Sequence, residues 1–411
     1  MRSFSLFTII LLCLALLIVD VLAFTWLQSI TKLIDFPLLQ KTIHILFWVF
    51  TAGLILSIIT LKITLDDINP KRKHLLITSF YGLAVSSFIP KVIFIIVISI
   101  LYFTNYVFSE EESVFLVPLI GLLSGILPFL VIVYAIFKAV YRFKVYHVNL
   151  EIENLPDALQ KLNLIHISDL HLGSFNFKYH ILDRAIKLIN DANPDFIFFT
   201  GDIVNNYAWE LKGWEHVFTK LVAKKGKYAI LGNHDYGDYS TWKSKAEKEQ
   251  NFKAIKDFFN TIDFTLLMNE SDVVLIENEQ LAIIGVENWG KPPFKQYGDL
   301  QKAQENLGKS DFKILLSHDP SHWDEEVVEK TDINLTLSGH THGMQAALTY
   351  KNKQWSPIKY KYKRWAGLYA QNNQFLYVNR GLGWLGFPGR VGMRPEITHI
   401  KLHKTIKKLK I

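Results

Sequence analysis

Cysteine is almost missing: Cys13 is the one thiol among 411 residues. That excludes an internal disulfide framework and a cysteine-based zinc cluster, and leaves any metal chemistry to carboxylates, imidazoles and amides. Charge is sparse as well, at 20% of residues against 50% hydrophobic, and mean hydropathy is positive at +0.16. So apolar a chain falls outside the disordered and collagen-like classes. Repeats and low-complexity tracts are absent. The scarcity of charge is uneven. Residues 1–142 hold 10 Lys and Arg and 7 Asp and Glu, leaving 35 and 31 for residues 143–411. The first third therefore reads as membrane-embedded and the remainder as an ordinary water-facing domain, within the two or three domains that about 100–200 residues per domain allow.

Crossing a bilayer takes about 20 mostly apolar residues, because every backbone polar group must be satisfied within the helix. Four stretches qualify, at about 4–27, 43–65, 75–108 and 114–140. The third is longer than one span needs and carries Pro90-Lys91 at its centre; we read it as one kinked helix rather than two short ones. Lys91 and Asp20 are either functional groups facing the bundle interior or packing and snorkelling residues. Arg2, Lys71-Arg72-Lys73, Lys138, Arg142 and Lys144 lie on one side of four such spans, and Glu110-Glu111-Glu112 on the other. The positive-inside rule then places the large domain in the cytoplasm; a fifth span would reverse it.

Beyond a stretch at 143–160 that reads as a juxtamembrane linker, short β-rich runs each end in polar residues. The run at 162–168 ends in Asp169-Leu170-His171, and 196–200 in Gly201-Asp202. The run at 228–231 ends in Gly232-Asn233-His234-Asp235, 313–317 in His318, and 333–338 in Gly339-His340-Thr341-His342-Gly343. A helix is predicted over 179–192, with Ile181, Leu182, Ala185, Leu188 and Ile189 on one face. Runs at 273–277 and 280–286 read as a hairpin, and later strands are predicted at 374–378 and 397–402. Strands alternating with helices predict a layered α/β domain whose site gathers at the strand ends. Oxygen and imidazole donors there suit Mn, Fe, Zn or Ni. A carboxylate reached from two sides can bridge a pair of ions about 3.5–4 Å apart, which clamp a phosphate and activate water. The glycines at 201, 232, 339 and 343 permit tight turns between such ligands.

These motifs, in this order, resemble the calcineurin-like metallophosphoesterases over about residues 160–402. His318-Asp319-Pro320, Arg380-Gly381-Leu382-Gly383 and Arg394-Pro395-Glu396 are similar to the bacterial membrane-associated members. The resemblance implies a four-layer αββα sandwich over 161–402; with the transmembrane helices read at 1–142 and a basic tail at 403–411, the expected fold is α/β (α+β). It implies a first metal held by Asp169, His171, Asp202 and His342, and a second by Asp202, Asn233, His318 and His340. The ions would be two divalent cations, manganese first, with zinc, iron or nickel as alternatives. His234 would stabilise the transition state or protonate the leaving oxygen, with Asp235 orienting it.

Other residues have blander readings. His166 reads as a core histidine and His322 as a helix-start surface residue. Arg380, Arg390 and Arg394 offer either a fork for phosphate or ordinary surface pairing, Arg380 and Arg394 being the substrate-binding candidates. Asn205 and Asn206 read as loop caps, and Trp289, Trp365 and Trp384 as aromatic core. Residues 401–411 hold five lysines and no acid, either a solvated tail or a contact with an anionic leaflet. The expected function is a membrane-anchored phosphohydrolase acting on a phosphodiester or pyrophosphate, with lipid-linked substrates as candidates. A phosphoprotein phosphatase shares the chemistry, and the alternative class is a membrane sensor or transport-associated protein that binds without turnover. The partners expected are the bilayer and the phosphoester, with no nucleic acid; oligomeric state is left open.

Overall fold

The computed structural model describes residues 5–65, 67–108, 113, 115–351 and 353–405. Arg2, the acidic loop Glu110-Glu111-Glu112 and the tail beyond Thr405 lie outside the described residues. The chain divides into two compact units, one formed by the helices before Val140 together with Gly386–Gly389, the other by Val140–Leu385 and the chain from Arg390 onward.

The first unit holds four helices long and apolar enough to cross a membrane: α1 (Leu6–Thr31), α2 (Pro37–Thr64), α3 (Pro70–Phe108) and α4 (Leu116–Phe137). Their outward faces carry large apolar side chains such as Phe7, Leu38, Ile63 and Phe103, an arrangement suited to lipid rather than water. The third apolar stretch is one helix, continuous through Pro90. At about 1.5 Å per residue it outreaches a hydrocarbon core of about 30 Å, so its basic first turn can stand clear of the lipid tails. Lys91 turns inward. Its Nζ donates to Asp20 Oδ1 at 2.7 Å and to Ser87 Oγ at 2.9 Å. It also sits 4.7 Å from the Phe47 ring centroid, while Thr51 donates to the other Asp20 oxygen. This network ties α1, α2 and α3 together at the middle of α1. Removing one partner strands a charge in hydrocarbon, so Lys91→Met or Asp20→Leu alone should cost about 3–5 kcal/mol, whereas the double variant should recover most of it. Thermal unfolding of the four proteins in detergent checks this.

In the second unit the strands are β1 (Lys144–Ile152), β2 (Asn163–Ile167), β3 (Phe196–Thr200), β4 (Gly226–Ile230), β5 (Thr265–Leu266), β6 (Glu270–Ile276), β7 (Glu279–Gly285), β8 (Phe312–Leu316), β9 (Leu335–Ser338), β10 (Leu348–Tyr350), β11 (Lys353–Trp355), β12 (Gly367–Gln371), β13 (Gln374–Val378) and β14 (Glu396–Lys404). One sheet runs β1-β14-β2-β3-β4-β5 and the other β12-β13-β9-β8-β7-β6, with β10-β11 a separate ribbon. Side-chain alternation sorts the layers. Phe196 and Phe198 of β3 enter a core shared with Ile283, Ile314 and Leu337 of the other sheet. Ile197 and Phe199 face outward to Leu182 and Ile189 of α5 (His180–Asp191) and Phe259 of a later helix, Lys245–Thr261. On the far side, Ile284, Leu315 and Val378 pack beneath Leu300 and Trp323. Helices thus cover both outer faces of a two-sheet sandwich, the four layers that the resemblance implies.

The stretch at 143–160 is not a plain linker. It contains β1, paired in parallel along its whole length with β14, from Lys144↔Glu396 to Ile152↔Lys404, and Leu150 and Ile152 enter the inter-sheet core. The fourfold run of parallel strands β2-β3-β4-β5 and the parallel strands β7-β8-β9-β13 deliver their C-terminal ends to loops that carry the chemistry.

Candidate metal centre

Three strand tips, those of β2, β3 and β9, carry their candidate ligands through a sharp reversal. Asp169, His171, Asp202, His340 and His342 all have positive φ, between 46° and 70°. Non-glycine residues occupy that region at a cost of about 1–3 kcal/mol each where strained, and such residues cluster at functional sites. Two glycines make room for them: a Cβ on Gly232 would overlap Asp202 Oδ1, and one on Gly339 would overlap Asp169 Oδ2 and Ser168 Oγ.

The nominated ligands form one connected, buried cluster. His342 Nε2 lies 3.2 Å from Asp169 Oδ1 and 3.1 Å from His171 Nε2. Asp202 Oδ2 lies 3.5 Å from His171 Nε2 and 3.2 Å from His318 Nε2. His340 Nδ1 is 2.8 Å from Asn233 Oδ1 and 3.3 Å from His318 Nε2. Asn233 Nδ2 donates to the Tyr239 hydroxyl at 2.9 Å, which turns its carbonyl oxygen toward His340.

The donor set fits metal cations. His171 Nδ1 is 3.2 Å from the Val204 carbonyl and His318 Nδ1 is 2.6 Å from the Thr200 carbonyl, so both rings donate through Nδ1. Their Nε2 atoms both face Asp202 Oδ2, each with a lone pair wherever its ring is neutral. Acceptors that face one another in a buried site call for a cation between them. A proton is a poor answer at most of these rings. Burial holds His171 well below its ordinary value and lowers His340 to about 4. At His318 burial also opposes charge, but the Asp202 and Asp169 carboxylates outweigh it and raise the ring to about 10. Groups of Asp169, His171 and His342, and of Asp169, Asp202 and His318, bring their ligand atoms within 4.8 Å of one another.

Two expected roles change. Asp235 does not orient the His234 ring. Its carboxylate accepts four backbone N–H groups, from Asp202 and Gly232 at 2.9 Å, Ile203 at 2.9 Å and Val204 at 3.2 Å, and so fixes the loop that carries Asp202. Burial and the nearby Asp202 push it up to about 7 against the pull of those donors. His234 is instead oriented by the Asn205 carbonyl, 2.8 Å from Nδ1, while its own backbone N–H donates to Asp202 Oδ1 at 2.9 Å. Nor do the arginines present a fork. Arg380 Nη1 is paired with buried Glu396 at 2.6 Å, Arg390 donates to the carbonyls of Arg380, Gly381 and Gly383, and Arg394 donates to those of Arg142 and Phe143. Each guanidinium closes a loop where the sequence allowed a phosphate contact. His322, expected on the surface, is fully buried between Ser317 and Glu326 and stacked 4.9 Å from the Trp289 ring. His166 is a core residue held by Thr200 at 2.8 Å.

Further groups stand behind the candidate ligands, Asp319 from the His318-Asp319-Pro320 motif and Tyr362 and Glu210 from no motif. The Tyr362 hydroxyl is 2.7 Å from His340 Nε2, and Asp319 Oδ2 lies 3.9 Å from the same nitrogen, buried and without a hydrogen-bond partner. Glu210 accepts the N–H groups of Asn205, Asn206 and Tyr207 at 2.6, 3.0 and 3.0 Å, so it shapes the loop that orients His234. Burial raises Glu210 to about 7 despite those donors. The folded chain therefore keeps a proton that an unfolded carboxyl releases from about pH 4.5 upward. Stability from this group is full below that value and declines as pH rises through about 7. Glu210→Gln removes the titration, so between about pH 4.5 and 7.5 its melting temperature should fall less than that of the parent protein, at fixed metal concentration.

Comparison with known proteins agrees with this geometry. Residues 162–344 match the family described as calcineurin-like phosphoesterase, and residues 2–140 match that described as probable calcineurin-like phosphoesterase, transmembrane domain. An uncharacterised metallophosphoesterase of Bacillus subtilis, YkuE, is 31% identical over 262 residues, 61% of this chain and 82% of its own length. A transmembrane protein with metallophosphoesterase domain from Danio rerio is 28% identical over 280 residues, 66% of this chain and 60% of its own length. Phosphodiesterase YaeI of Escherichia coli is 26% identical over 251 residues, 60% of this chain and 84% of its own length. Helices built for lipid, acceptor clusters built for cations and these relatives converge: the chain belongs to the calcineurin-like metallophosphoesterases and is a membrane-associated, metal-dependent phosphoesterase.

Proposed function

We propose that the protein cleaves a phosphodiester or pyrophosphate bond with the help of two divalent ions that the cluster around Asp202 would hold. The observation that carries this is that His171 and His318, each held at Nδ1 by a carbonyl, both direct Nε2 to the same oxygen of Asp202. Asp169, His171 and His342 would hold one ion with Asp202, and Asn233, His318 and His340 the other. Bound there, divalent ions supply Lewis acidity toward phosphate oxygens and lower the pKa of a water placed for in-line attack. The protein's own share is positional. Carbonyl contacts at Nδ1 keep His171 and His318 from turning away, and Asp235 holds the Asp202 backbone through four N–H bonds. His234, tethered through Nδ1, presents Nε2 as an acceptor in its neutral form, and would donate to a phosphate or leaving-group oxygen there as the imidazolium, against the pull of burial.

Diesters are the preferred class because a relative bears the name phosphodiesterase. Membrane helices favour a substrate at the bilayer surface, a phospholipid-type diester or a lipid-linked pyrophosphate. Manganese is the first ion to test, then zinc, iron and nickel. The catalytic unit is assigned to the cytoplasm from the basic residues flanking the second, third and fourth spans.

Full-length protein in detergent with manganese should bind two ions per chain by elemental analysis and hydrolyse bis(p-nitrophenyl) phosphate faster than p-nitrophenyl phosphate. Asp202→Ala should lose both ions and activity together. His234→Ala should keep the metal and lose about 100-fold or more in kcat. A stoichiometry of one, or a preference for the monoester, would overturn the corresponding half of the proposal.

A further inference from the structure

Between Asp332 and Glu396 the chain contains no acidic residue, although it carries five lysines and four arginines there. Within that stretch β10 and β11 form a two-stranded ribbon outside both large sheets, with Leu348 opposite Trp355. An isolated ribbon buries too little to be stable alone, yet this one and the turn after it point apolar side chains outward. Leu348 is 67% exposed, Tyr350 75% and Tyr360 78%, with Trp355 exposed beside them. Lysines stand among these rings. Lys351 Nζ lies 5.6 Å from the Tyr350 centroid, and Lys359 Nζ lies 5.0 Å from that of Tyr360 and 5.9 Å from that of Trp355. Lys363 and Arg364, by contrast, turn to Asp324 at 3.7 and 3.5 Å.

We propose that this ribbon and the turn at Pro357–Tyr360 form a docking surface for an anionic phospholipid bilayer. Tyrosine and tryptophan prefer the headgroup region, where a ring is half wet, and lysines beside them neutralise anionic headgroups. A stretch free of carboxylates avoids the repulsion that the same lipids would impose on acids. The surface is joined to the metal centre by short links. Ser356 Oγ donates to the Gly343 carbonyl at 3.1 Å, and Thr341 Oγ1 donates to that of Trp365 at 2.6 Å. Lys361 Nζ lies over the rings of Tyr362 and Phe294, and Phe294 meets the His340 ring edge-on at 4.9 Å. A bilayer held on the ribbon thus brings lipid headgroups to the side of the centre that Tyr362 and His340 form.

The test reads amide exchange rather than turnover, so its outcome is independent of whether the enzyme prefers diesters. Full-length protein is placed in nanodiscs of phosphatidylcholine alone or with about 30% phosphatidylglycerol, and hydrogen–deuterium exchange is followed over 348–361. Exchange should slow by roughly threefold or more in the anionic discs, and the protection should vanish at about 0.5 M salt. The variant Lys351→Ser, Lys359→Ser, Lys361→Ser should lose the protection while unchanged exchange in β2, β3 and β8 reports an intact fold. Equal exchange of the parent protein in the two lipids, salt-insensitive protection, or protection that appears only on adding a soluble protein or RNA would overturn the proposal.

Discussion

Everything in the catalytic unit answers to one electrostatic problem: several polar groups, brought from five strand ends, gather around Asp202 in a largely buried site. Left alone, such a cluster repels itself. The fold tolerates it because each group is held from behind. Carbonyls grip His171, His318 and His234 at Nδ1, and Asp235 pins the backbone of Asp202. The rigidity belongs to these supporting bonds, so the ligands keep their aim without needing the cation to gather them. A site so arranged favours ions by presenting a ready shape and penalises every alternative occupant except a proton, which burial discourages at His171 and His340.

The backbone shares the load. Five of the candidate ligands sit in the left-handed region, which L-amino acids avoid. The second sheet's loop reaches back to the first: Leu382 and Gly383 donate to the carbonyls of Ser168 and Asp169, and Asn379 donates to that of His166. Those bonds explain the buried arginines. Arg380 and Arg390 fold the segment that makes this crossing, so their charge serves loop closure.

How much of this was legible follows from where each residue stands relative to its own strand. Asp169, His171, Asp202, Asn233, His318, His340 and His342 come directly after apolar runs, so periodicity and motif order find them without knowledge of the fold. The strand at Gln374–Val378 and the hairpin before it were legible for the same reason. Groups that act at a distance were not. Tyr362 reaches His340 across 22 residues, and Glu210 shapes its loop through backbone N–H groups that have no sequence signature. Asp235 sits next to His234 in sequence, which suggested that the pair acts together; in space it faces the Asp202 loop. Strand β1 did carry a signal, since Tyr146, Val148, Leu150 and Ile152 alternate with His147, Asn149 and Glu151; what no local pattern names is its partner β14, some 250 residues away in the chain.

That last pairing has a consequence for biosynthesis. Strand β14 lies between β1 and β2, so the first sheet has a gap beside its edge strand until residues 396–404 have left the ribosome. By then the four apolar helices and nearly all ligand loops have already been made. During that interval β1 has no neighbour in the sheet and one edge of β2 stands open, the condition under which strands pair with the wrong chain. Closure of the sheet is therefore a late, single event, and the segment that completes it also carries Glu396, the anion that holds Arg380 in place.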